Sequence, residues 1–495
     1  MKNFSKSKLI SMLQCQRRFW LELHKPELRA DSHQTELKFK TGNQVGDVAR
    51  HIFDPEGIGH LIDPIKEGFD QAVARSAQLL ASDQPIFEAG WTGGGVLAFA
   101  DVMLPATPQQ GWHMIEVKSS TSVKDYHRDD IAIQTFAARS AGIDIRTVSL
   151  AHIDSSWTYP GDMDYRGLFK LHDLTEESFS RQREVESWVN QAQSLAKACA
   201  EPNVGMGAHC TSPFECGFLT HCSEGSEAVE FPIQWLPRIT TKKVEELQAA
   251  GIKDLREAPD RKLNELQQRV KQASVTGRAY FDAQGAAKDL AEHLLPCLFL
   301  DFESVQFGVP IWAGAKPYQQ TCFQFSLHKL LADGTLSHTE FIDLSGKDPS
   351  EPFAMSLIEA CGATDSSIFV YNATFEKSRI SELAEKFPAH TTALRQILDR
   401  IVDLLPIARN RYYHPAQEGS WSIKKLLPAL VPELQYSDLE GVQDGNMAIA
   451  AYLEAISPET GDERKQEIRQ QLLRYCQLDT YSMVRIWQSF TGSNN

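Results

Sequence analysis

The stretch WHMIEVKSST, residues 112–121, is an apolar run that ends in a glutamate and a lysine before small hydroxyl residues follow. Successive side chains of a strand point to opposite faces of a sheet, so Glu116 and Lys118 share one face. An ordinary ion pair at the end of a strand has the same sequence pattern. The surrounding residues have to decide between this interpretation and a metal-dependent catalytic centre.

The neighbouring segments predict an α/β core. Residues 1–60 have helical spacing, residues 85–118 are typical of strands separated by glycine turns, and helical spacing resumes in YHRDDIAIQTFAARSAG, residues 126–142. Asp101 ends the strand LAFAD, where it can meet Glu116 on a neighbouring strand. Two carboxylates can bind Mg²⁺ or Mn²⁺, and a lysine beside them can orient a metal-bound water.

The segments FEAGWTGGGVLAFADVML and WHMIEVKSSTSVKDYHRDDIAIQTF resemble the RecB-type branch of the PD-(D/E)XK nucleases. That branch includes CRISPR-associated exonucleases that carry an iron–sulfur cluster. The resemblance implies a restriction-endonuclease-like domain in which Asp101 and Glu116 are metal ligands and Lys118 is the catalytic lysine. It also implies an active-site role for Gln134 on the following helix, and for Glu88 as an upstream metal ligand.

One element of that family pattern is missing. The family usually has a metal-binding histidine in an early helix, within the motif Gly-x-x-x-His. Counted from Gly46, the histidine position holds Arg50, and His51 lies one residue beyond it. We therefore assign no ligand role to His51.

Four of the nine cysteines indicate a bound metal or cluster. Cys210, Cys216 and Cys222 are evenly spaced in HCTSPFECGFLTHC, residues 209–222, and Cys15 is the best candidate for a fourth ligand. Thiolates at this density favour zinc or an iron–sulfur cluster, and a metal-free cysteine loop is the alternative. The resemblance to the RecB-type branch implies a 4Fe-4S cluster bound by one early and three late cysteines. The other five, Cys199, Cys297, Cys322, Cys361 and Cys476, are typical of core positions.

A second group of acids lies in the last 200 residues. Asp301 and Glu303 share one face of the strand LFLDFES, Glu376 lies where a strand passes into a helix, and Tyr475 and Asp479 share one face of the last helix. Four carboxylates can bind two metal ions about 3.5–4 Å apart.

This second pattern resembles the DEDD exonucleases of the RNase H-like DnaQ fold, in the variant that has a tyrosine. The resemblance implies that Asp301, Glu303, Glu376 and Asp479 are metal ligands and that Tyr475 places the nucleophile. Glu376 departs from the pattern, because the family more often has an aspartate there. The segments IVDLLPIARN, residues 401–410, and GSWSIKKLLPAL, residues 419–430, extend a resemblance to an uncharacterised bacterial family that joins both nuclease types.

A length of 495 residues predicts two or three domains. We expect a PD-(D/E)XK domain at 1–228, a helical connector at 229–290 and an RNase H-like exonuclease domain at 291–495. The connector segment LPRITTKKVEELQAAGIKDLREAP, residues 236–259, is typical of a helix–hairpin–helix or of a plain helical linker, with the turn at Gly251.

The net charge of −15 disfavours a passive nucleic-acid coat, whose affinity comes from basic surface. The absence of a long apolar run or a signal sequence predicts a cytoplasmic protein without a membrane partner. The prediction is a DNA nuclease that requires Mg²⁺ or Mn²⁺, prefers single strands, has two hydrolytic centres and takes part in repair, processing or defence. The alternatives are a nuclease with one active centre, acting on RNA or DNA, and a non-enzymatic adaptor stabilised by the cluster.

Overall fold

The computed structural model describes residues 2–31, 33–106, 111–224 and 229–493, with side chains for all of these except 33–40. Contacts divide the chain into two compact units. Unit 1 comprises Met1–Ser226 and Phe307–Gln319, and unit 2 comprises Glu227–Gln306 and Gln320–Asn495. The three-part division at 228 and 290 stays a prediction, because residue 228 lies outside the described part of the chain. The described residues of 229–290 group with unit 2.

Unit 1 is built on a mixed β-sheet that contains seven strands when only the described residues are counted. The strands are β1 (Phe4–Ser5), β2 (His60–Leu61), β3 (Ile86–Gly93), β4 (Val96–Pro105), β5 (Trp112–Lys118), β6 (Ile145–Ile153) and β7 (Phe169–Asp173). They lie in the order β2-β3-β4-β5-β6-β7, and β1 pairs in parallel with the start of β4. The central strands β3, β4 and β5 are antiparallel, whereas β5 and β6 are parallel.

The helices of unit 1 pack around this sheet. They are α1 (Lys6–Gln14), α2 (Gln16–His24), α3 (His33–Phe53), α4 (Pro64–Glu67), α5 (Phe69–Leu79), α6 (Asp125–Ser140), α7 (Thr175–Ser180), α8 (Gln182–Ala196) and α9 (Leu219–Ser223). The predicted helix over 126–142 is α6, and it packs on β3, β4 and β6. A Cβ atom on Gly93 would collide with the backbone of α6 at Ala137 and Ala141, so the β3–β4 turn requires glycine there.

Unit 2 contains a second mixed sheet, with five strands among the residues described. Its strands lie in the order β11-β10-β9-β12-β13, where β9 is antiparallel to β10 and parallel to β12. The bounds are β9 (Cys297–Val305), β10 (Thr321–Leu330), β11 (Leu336–Ile342), β12 (Ile368–Val370) and β13 (Ile401–Asp403), and the short strands β8 (Tyr280–Phe281) and β14 (Tyr412–Tyr413) pair separately. The predicted strand CLFLDFESV is therefore the central strand, buried along most of its length.

The helices of unit 2 precede, separate and follow the strands of its sheet along the sequence. They are α10 (Thr241–Ala249), α11 (Glu265–Thr276), α12 (Ala283–Leu290), α13 (Ser350–Cys361), α14 (Thr374–Lys386), α15 (Thr391–Asp399), α16 (Leu404–Arg411), α17 (Ile423–Leu430), α18 (Gly445–Ala455) and α19 (Asp462–Thr491). The predicted closing helix is α19, which packs on β9 and β10.

The connector segment shares a core with the rest of unit 2. Leu247, Leu255 and Val270 are fully buried in one cluster with Phe299 of β9 and Met483 of α19. The segment after Gly251 differs from a helix–hairpin–helix, because only a 3₁₀ turn, Leu255–Glu257, follows there. Pro259 lacks a backbone N–H, and the next α-helix begins only at Glu265.

The structure contains no helix, within the residues it describes, that is both long and apolar enough to cross a bilayer.

Candidate active sites

Three predicted acids lie in a row across the sheet of unit 1. The pairs Phe87–Val102 and Ala89–Ala100 flank a gap in the β3–β4 ladder, which places Glu88 opposite Asp101. The β4–β5 ladder ends at Val102–Ile115, so Asp101 and Glu116 face each other just beyond its last pair. There the Asp101 carboxylate accepts a hydrogen bond of 2.6 Å from the backbone N–H of Val117.

The lysine and glutamine that the sequence singled out both contact this row. Lys118 Nζ donates to Glu116 Oε1 at 2.6 Å, and Gln134 Nε2 donates to Glu116 Oε2 at 2.7 Å. Glu116 is 1% exposed and Gln134 is fully buried. The Oε1 atom of Gln134 has no hydrogen-bond partner in the structure. The structure therefore brings Asp101, Glu116, Lys118 and Gln134 together as predicted.

Two further residues of this site were missed by the sequence reasoning. Asp130 accepts from Lys118 Nζ at 2.7 Å and from Gln134 Nε2 at 3.2 Å. Lys6 donates to Glu116 Oε1 at 2.7 Å and lies 3.4 Å from Asp130. The spacing of Asp130 and Gln134, four residues apart on one helix face, was a usable signal for the first. No local sequence pattern identifies Lys6, which lies 110 residues before its partner Glu116.

Burial and neighbouring charges shift the pKa values of the acids in this site in different directions. Burial raises the pKa of Asp101 well above its ordinary value, and the charge of Glu116 adds to the rise. Burial also raises the pKa of Glu88. Burial disfavours the charge of Asp130, but the nearby Lys118 and Lys6 outweigh it and lower the pKa of this carboxyl. The pKa of Asp130 is therefore shifted downwards, whereas the pKa values of Asp101 and Glu88 are shifted upwards.

Arg50 lies at the position where the nuclease pattern has a histidine in an early helix. Arg50 lies close enough to Glu88 for its charge to lower the pKa of that carboxyl, against the larger effect of burial. The exposed His51 forms a hydrogen bond of 2.8 Å between Nδ1 and the carbonyl of Asp47.

The second group of acids converges in unit 2. Asp301 and Glu303 lie on β9, Glu376 in the first turn of α14, and Asp479 on α19. Glu303 is 8% exposed, Glu376 3% and Asp479 6%. Among the described residues, no lysine, arginine or histidine lies within 4.0 Å of any of these four carboxylates. One oxygen of Glu376, Oε2, is buried without a hydrogen-bond partner.

Burial raises the pKa values of all four acids, and repulsion between them adds to the rise at Asp301 and Glu303. Burial, followed by the charge of Asp479, raises the pKa of Asp301 and of Glu303 well above the ordinary value. Burial raises the pKa of Glu376 to about 7. Burial likewise raises the pKa of Asp479 to about 6, although hydrogen bonds from Tyr436 and Tyr475 act in the opposite direction.

Tyr475 lies beside this cluster as the sequence predicted, and a second tyrosine joins it. The hydroxyl of Tyr436 donates to Asp479 Oδ1 at 2.5 Å. Lys424 Nζ lies 4.9 Å from the ring centroid of Tyr475 and 5.5 Å from that of Tyr436. Neither Tyr436 nor Lys424 was predicted, because they lie on segments whose approach to α19 depends on the tertiary fold.

Cys476, expected as a core residue, is fully buried and also touches the acids. Its Sγ lies 3.8 Å from the carbonyl oxygen of Asp301, and the two form a group with Glu303 whose potential ligand atoms lie within 4.8 Å of one another. Burial and the charge of Asp301 raise the pKa of the thiol well above its ordinary value. A protonated thiol donates a hydrogen bond, so the carboxylates are better candidates for metal ligands than this thiol.

The four predicted cysteine ligands line one pocket of unit 1, together with Arg17. Cys15 lies at the junction of α1 and α2, and Cys210, Cys216 and Cys222 lie on the loop and helix around α9. The backbone N–H of Cys216 donates to the carbonyl of Cys210 at 2.9 Å, which folds the loop back on itself.

The spacing of these sulfurs exceeds that of a closed zinc site. A tetrahedral zinc with Zn–S bonds of about 2.3 Å holds its sulfurs about 3.8 Å apart. Within the described chain, no three of the four sulfurs lie within 4.8 Å of one another, since Asp301, Glu303 and Cys476 form the one group that meets this distance. Among the described residues, the four sulfurs therefore do not have the spacing of a closed tetrahedral site in this structure.

Comparisons with known proteins are sparse. One family model, described as "Domain of unknown function (DUF2779)", matches residues 298–422. No curated protein matches the sequence. A solved structure described as "Crystal structure of SSO0001" is 12% identical and aligns over 41% of this chain and 80% of that one, with a TM-score of 0.22.

The first prediction concerns the metal-free stability of unit 2. We expect Asp301→Asn to raise the melting temperature without added cations, because it removes one of four mutually repelling carboxylates. The rise should be about 2–4 °C for each kcal/mol relieved. The variant should also lose the gain in melting temperature that Mn²⁺ gives the unaltered protein. Asp333→Asn, on an exposed loop, is the matched control. A variant no more stable than the control contradicts the repulsion.

The second prediction concerns pH. Carboxyls with raised pKa values hold protons in the folded state that they lose on unfolding, so metal-free stability should fall as pH rises through 6 and 7. Mn²⁺ binding should strengthen over the same range, because ligands must be deprotonated. Calorimetric titration at several pH values measures this, with about a tenfold change per pH unit for each proton displaced. An affinity independent of pH between 5.5 and 8 contradicts the assignment.

Proposed function

We propose that this protein is a metal-dependent nuclease that acts on DNA ends with single-stranded character, and that each unit contains one hydrolytic centre. The unit 1 centre consists of Glu88, Asp101, Glu116, Lys118 and Gln134. The unit 2 centre consists of Asp301, Glu303, Glu376, Asp479 and Tyr475. Both belong to mixed α/β units, in agreement with the PD-(D/E)XK-like and RNase H-like resemblances.

The observation that carries the proposal is the unit 2 cluster of three buried carboxylates, on Glu303, Glu376 and Asp479, and the partly buried one of Asp301, without a basic ion-pair partner among the described residues. Burying uncompensated charge is costly, and divalent cations are the natural counter-ions of clustered carboxylates. The unpaired oxygen of Glu376 is one more acceptor for such an ion. The longer glutamate, in place of an aspartate, reaches the cluster from α14.

Bound Mg²⁺ or Mn²⁺ supplies charge stabilisation and an activated water for phosphodiester hydrolysis. The chain supplies the geometry. Tyr436 holds one oxygen of Asp479, Tyr475 stands beside the same carboxylate, and Lys424 adds a positive charge next to both rings. In unit 1, Lys118 is placed to donate to a phosphate oxygen once its present bonds to Glu116 and Asp130 are exchanged.

One observation favours the alternative of a single active centre. In unit 1 the ammonium groups of Lys6 and Lys118 already neutralise Glu116 and Asp130, so this site needs a cation less than the unit 2 cluster does. Unit 2 alone would then hydrolyse DNA or RNA and unit 1 would bind the strand, which is the reverse of the alternative expected from the sequence, in which the second domain is degenerate.

We also propose that Cys15, Cys210, Cys216 and Cys222 bind a 4Fe-4S cluster, with zinc as the alternative. All four cysteines line one pocket, and Arg17 lies near Cys15 and Cys222 to offset the negative charge of the thiolates. The cluster would join the helical hairpin of α1 and α2 to a loop almost 200 residues later.

The third prediction tests the two centres separately. Purified protein with Mn²⁺ should degrade end-labelled single-stranded DNA. Lys118→Ala and Asp301→Ala should each lower the rate at which one class of products forms by about 10²–10³-fold. Each variant removes a charged group of one of the two proposed centres. The double variant should be inactive.

The matched controls are Lys66→Ala, whose side chain is 85% exposed in unit 1, and Asp333→Asn in unit 2. Loss of all cleavage by Asp301→Ala, with none by Lys118→Ala, supports the single-centre alternative. No cleavage of any DNA or RNA form by the unaltered protein supports the adaptor instead.

The fourth prediction concerns the cysteines. Anaerobically purified protein should show broad visible absorption and about four iron atoms per chain. Cys216→Ser should lose both, while Cys199→Ser, at an exposed cysteine outside the pocket, should retain both. Colourless protein with one zinc per chain contradicts the iron–sulfur assignment, and protein without either metal contradicts both.

A further inference from the structure

A pocket of about 200 Å³ opens beside the unit 1 centre. Lys118 and Asp130 of that centre form one side, and the residues that follow β5, Ser119 and Ser120, continue from it. The other side is formed by Tyr126 and Phe214. The volume far exceeds what one water molecule requires, so the pocket has room for a ring system.

The aromatic side of this pocket is open to solvent. Phe214 is 38% exposed, so part of its ring is accessible to a ligand. The rings of Tyr126 and Phe214 meet edge to face, with centroids 4.7 Å apart and planes at 67°. This arrangement leaves part of the Phe214 ring surface free of protein contact, while Tyr126 fixes its orientation.

The position of Phe214 is set by the cysteine loop. It lies between Cys210 and Cys216, and Gln14 Nε2 donates to the carbonyl oxygens of both His209 and Phe214 at 2.7 Å. The loop that carries three of the four cysteines therefore also forms the aromatic wall.

We propose that this pocket binds one unpaired nucleotide of the strand, with its base stacked on Phe214, whose ring Tyr126 holds in place, and its phosphate directed to Lys118. The proposal rests on the proposed nuclease function and names the part of the substrate that unit 1 recognises. Aromatic rings stack with any base, whereas lysine and serine donors suit a phosphate. A base held in a duplex is already stacked and paired, so only a strand with an unpaired nucleotide can fill the pocket.

Binding without cleavage tests this pocket. The complete protein, without added divalent cation, is titrated into a fluorescent 12-nucleotide DNA strand, an otherwise identical strand with abasic sites, and a blunt duplex. Fluorescence anisotropy gives each Kd. We expect Phe214→Ala to weaken binding of the intact strand about tenfold, the usual scale of one stacking contact. Phe214→Trp should restore it, and Phe214→Ala should leave abasic-strand and duplex binding unchanged.

Two further variants keep the result decisive. Tyr126→Leu lies outside the cysteine loop and should show the same loss even if Phe214→Ala disturbs the metal content, which is measured in parallel. Phe69→Ala removes a phenylalanine that is 56% exposed elsewhere in unit 1 and should bind like the unaltered protein.

The proposal is overturned if Phe214→Ala and Tyr126→Leu, with metal content intact, bind the intact strand as tightly as the unaltered protein does. It is also overturned if Phe214→Ala weakens binding of the abasic strand as much as it weakens binding of the intact strand. Stacking-dependent binding by a protein that cleaves no nucleic acid would separate the two conclusions, since the pocket would stand and the nuclease proposal would fail.

Discussion

Carboxylates that lose water side by side repel one another, and each needs either a proton or a positive charge to remain buried. Unit 1 draws that charge from its own sequence, because Lys6 and Lys118 bind Glu116 and Asp130 directly. Unit 2 has no such partner in ion-pair range within its described residues, and burial raises the pKa values of its carboxyls. The elements that carry these acids must therefore be held by packing elsewhere, as the buried faces of β9 and α19 are.

The two sites differ in whether side chains of the protein compensate the charges of their carboxylates. The unit 1 site is already a closed network, in which every ionised group has a partner of opposite charge. Such a network favours one arrangement of β5 and α6 before any ligand arrives. The unit 2 site is an assembly of acidic groups, and the cation that we propose for it would link the geometry of the site to its occupancy.

The sequence predicted what depends on local periodicity. Asp101, Glu116 and Lys118 could be placed because strand side chains alternate, and Asp301 and Glu303 for the same reason. The sequence could not predict Lys6, because its approach to Glu116 depends on β1 pairing with β4, a contact between segments more than 90 residues apart.

Other differences have equally specific causes. The four-residue spacing of Asp130 and Gln134 places both on one helix face, but the family resemblance implied a role for Gln134 alone. The expected second helix after Gly251 is only a 3₁₀ turn, because that segment folds onto the core of unit 2 through Leu255 instead of forming a separate hairpin. The resemblance implies that Cys15 and the three later cysteines form one ligand set, and the structure places all four in one pocket.

Gly93, in the turn between β3 and β4, allows α6 to lie directly against that turn, with no space for even one methyl group. The distance from helix to sheet is thus set at one end by the absence of a side chain. Gln134 and Asp130 lie along the same helix and reach Glu116 and Lys118 on the sheet. A methyl group at residue 93 would move the helix away from β5 and lengthen these bonds, although residue 93 touches none of the atoms they join. The chemistry of unit 1 therefore depends on a residue whose only contribution is its small size.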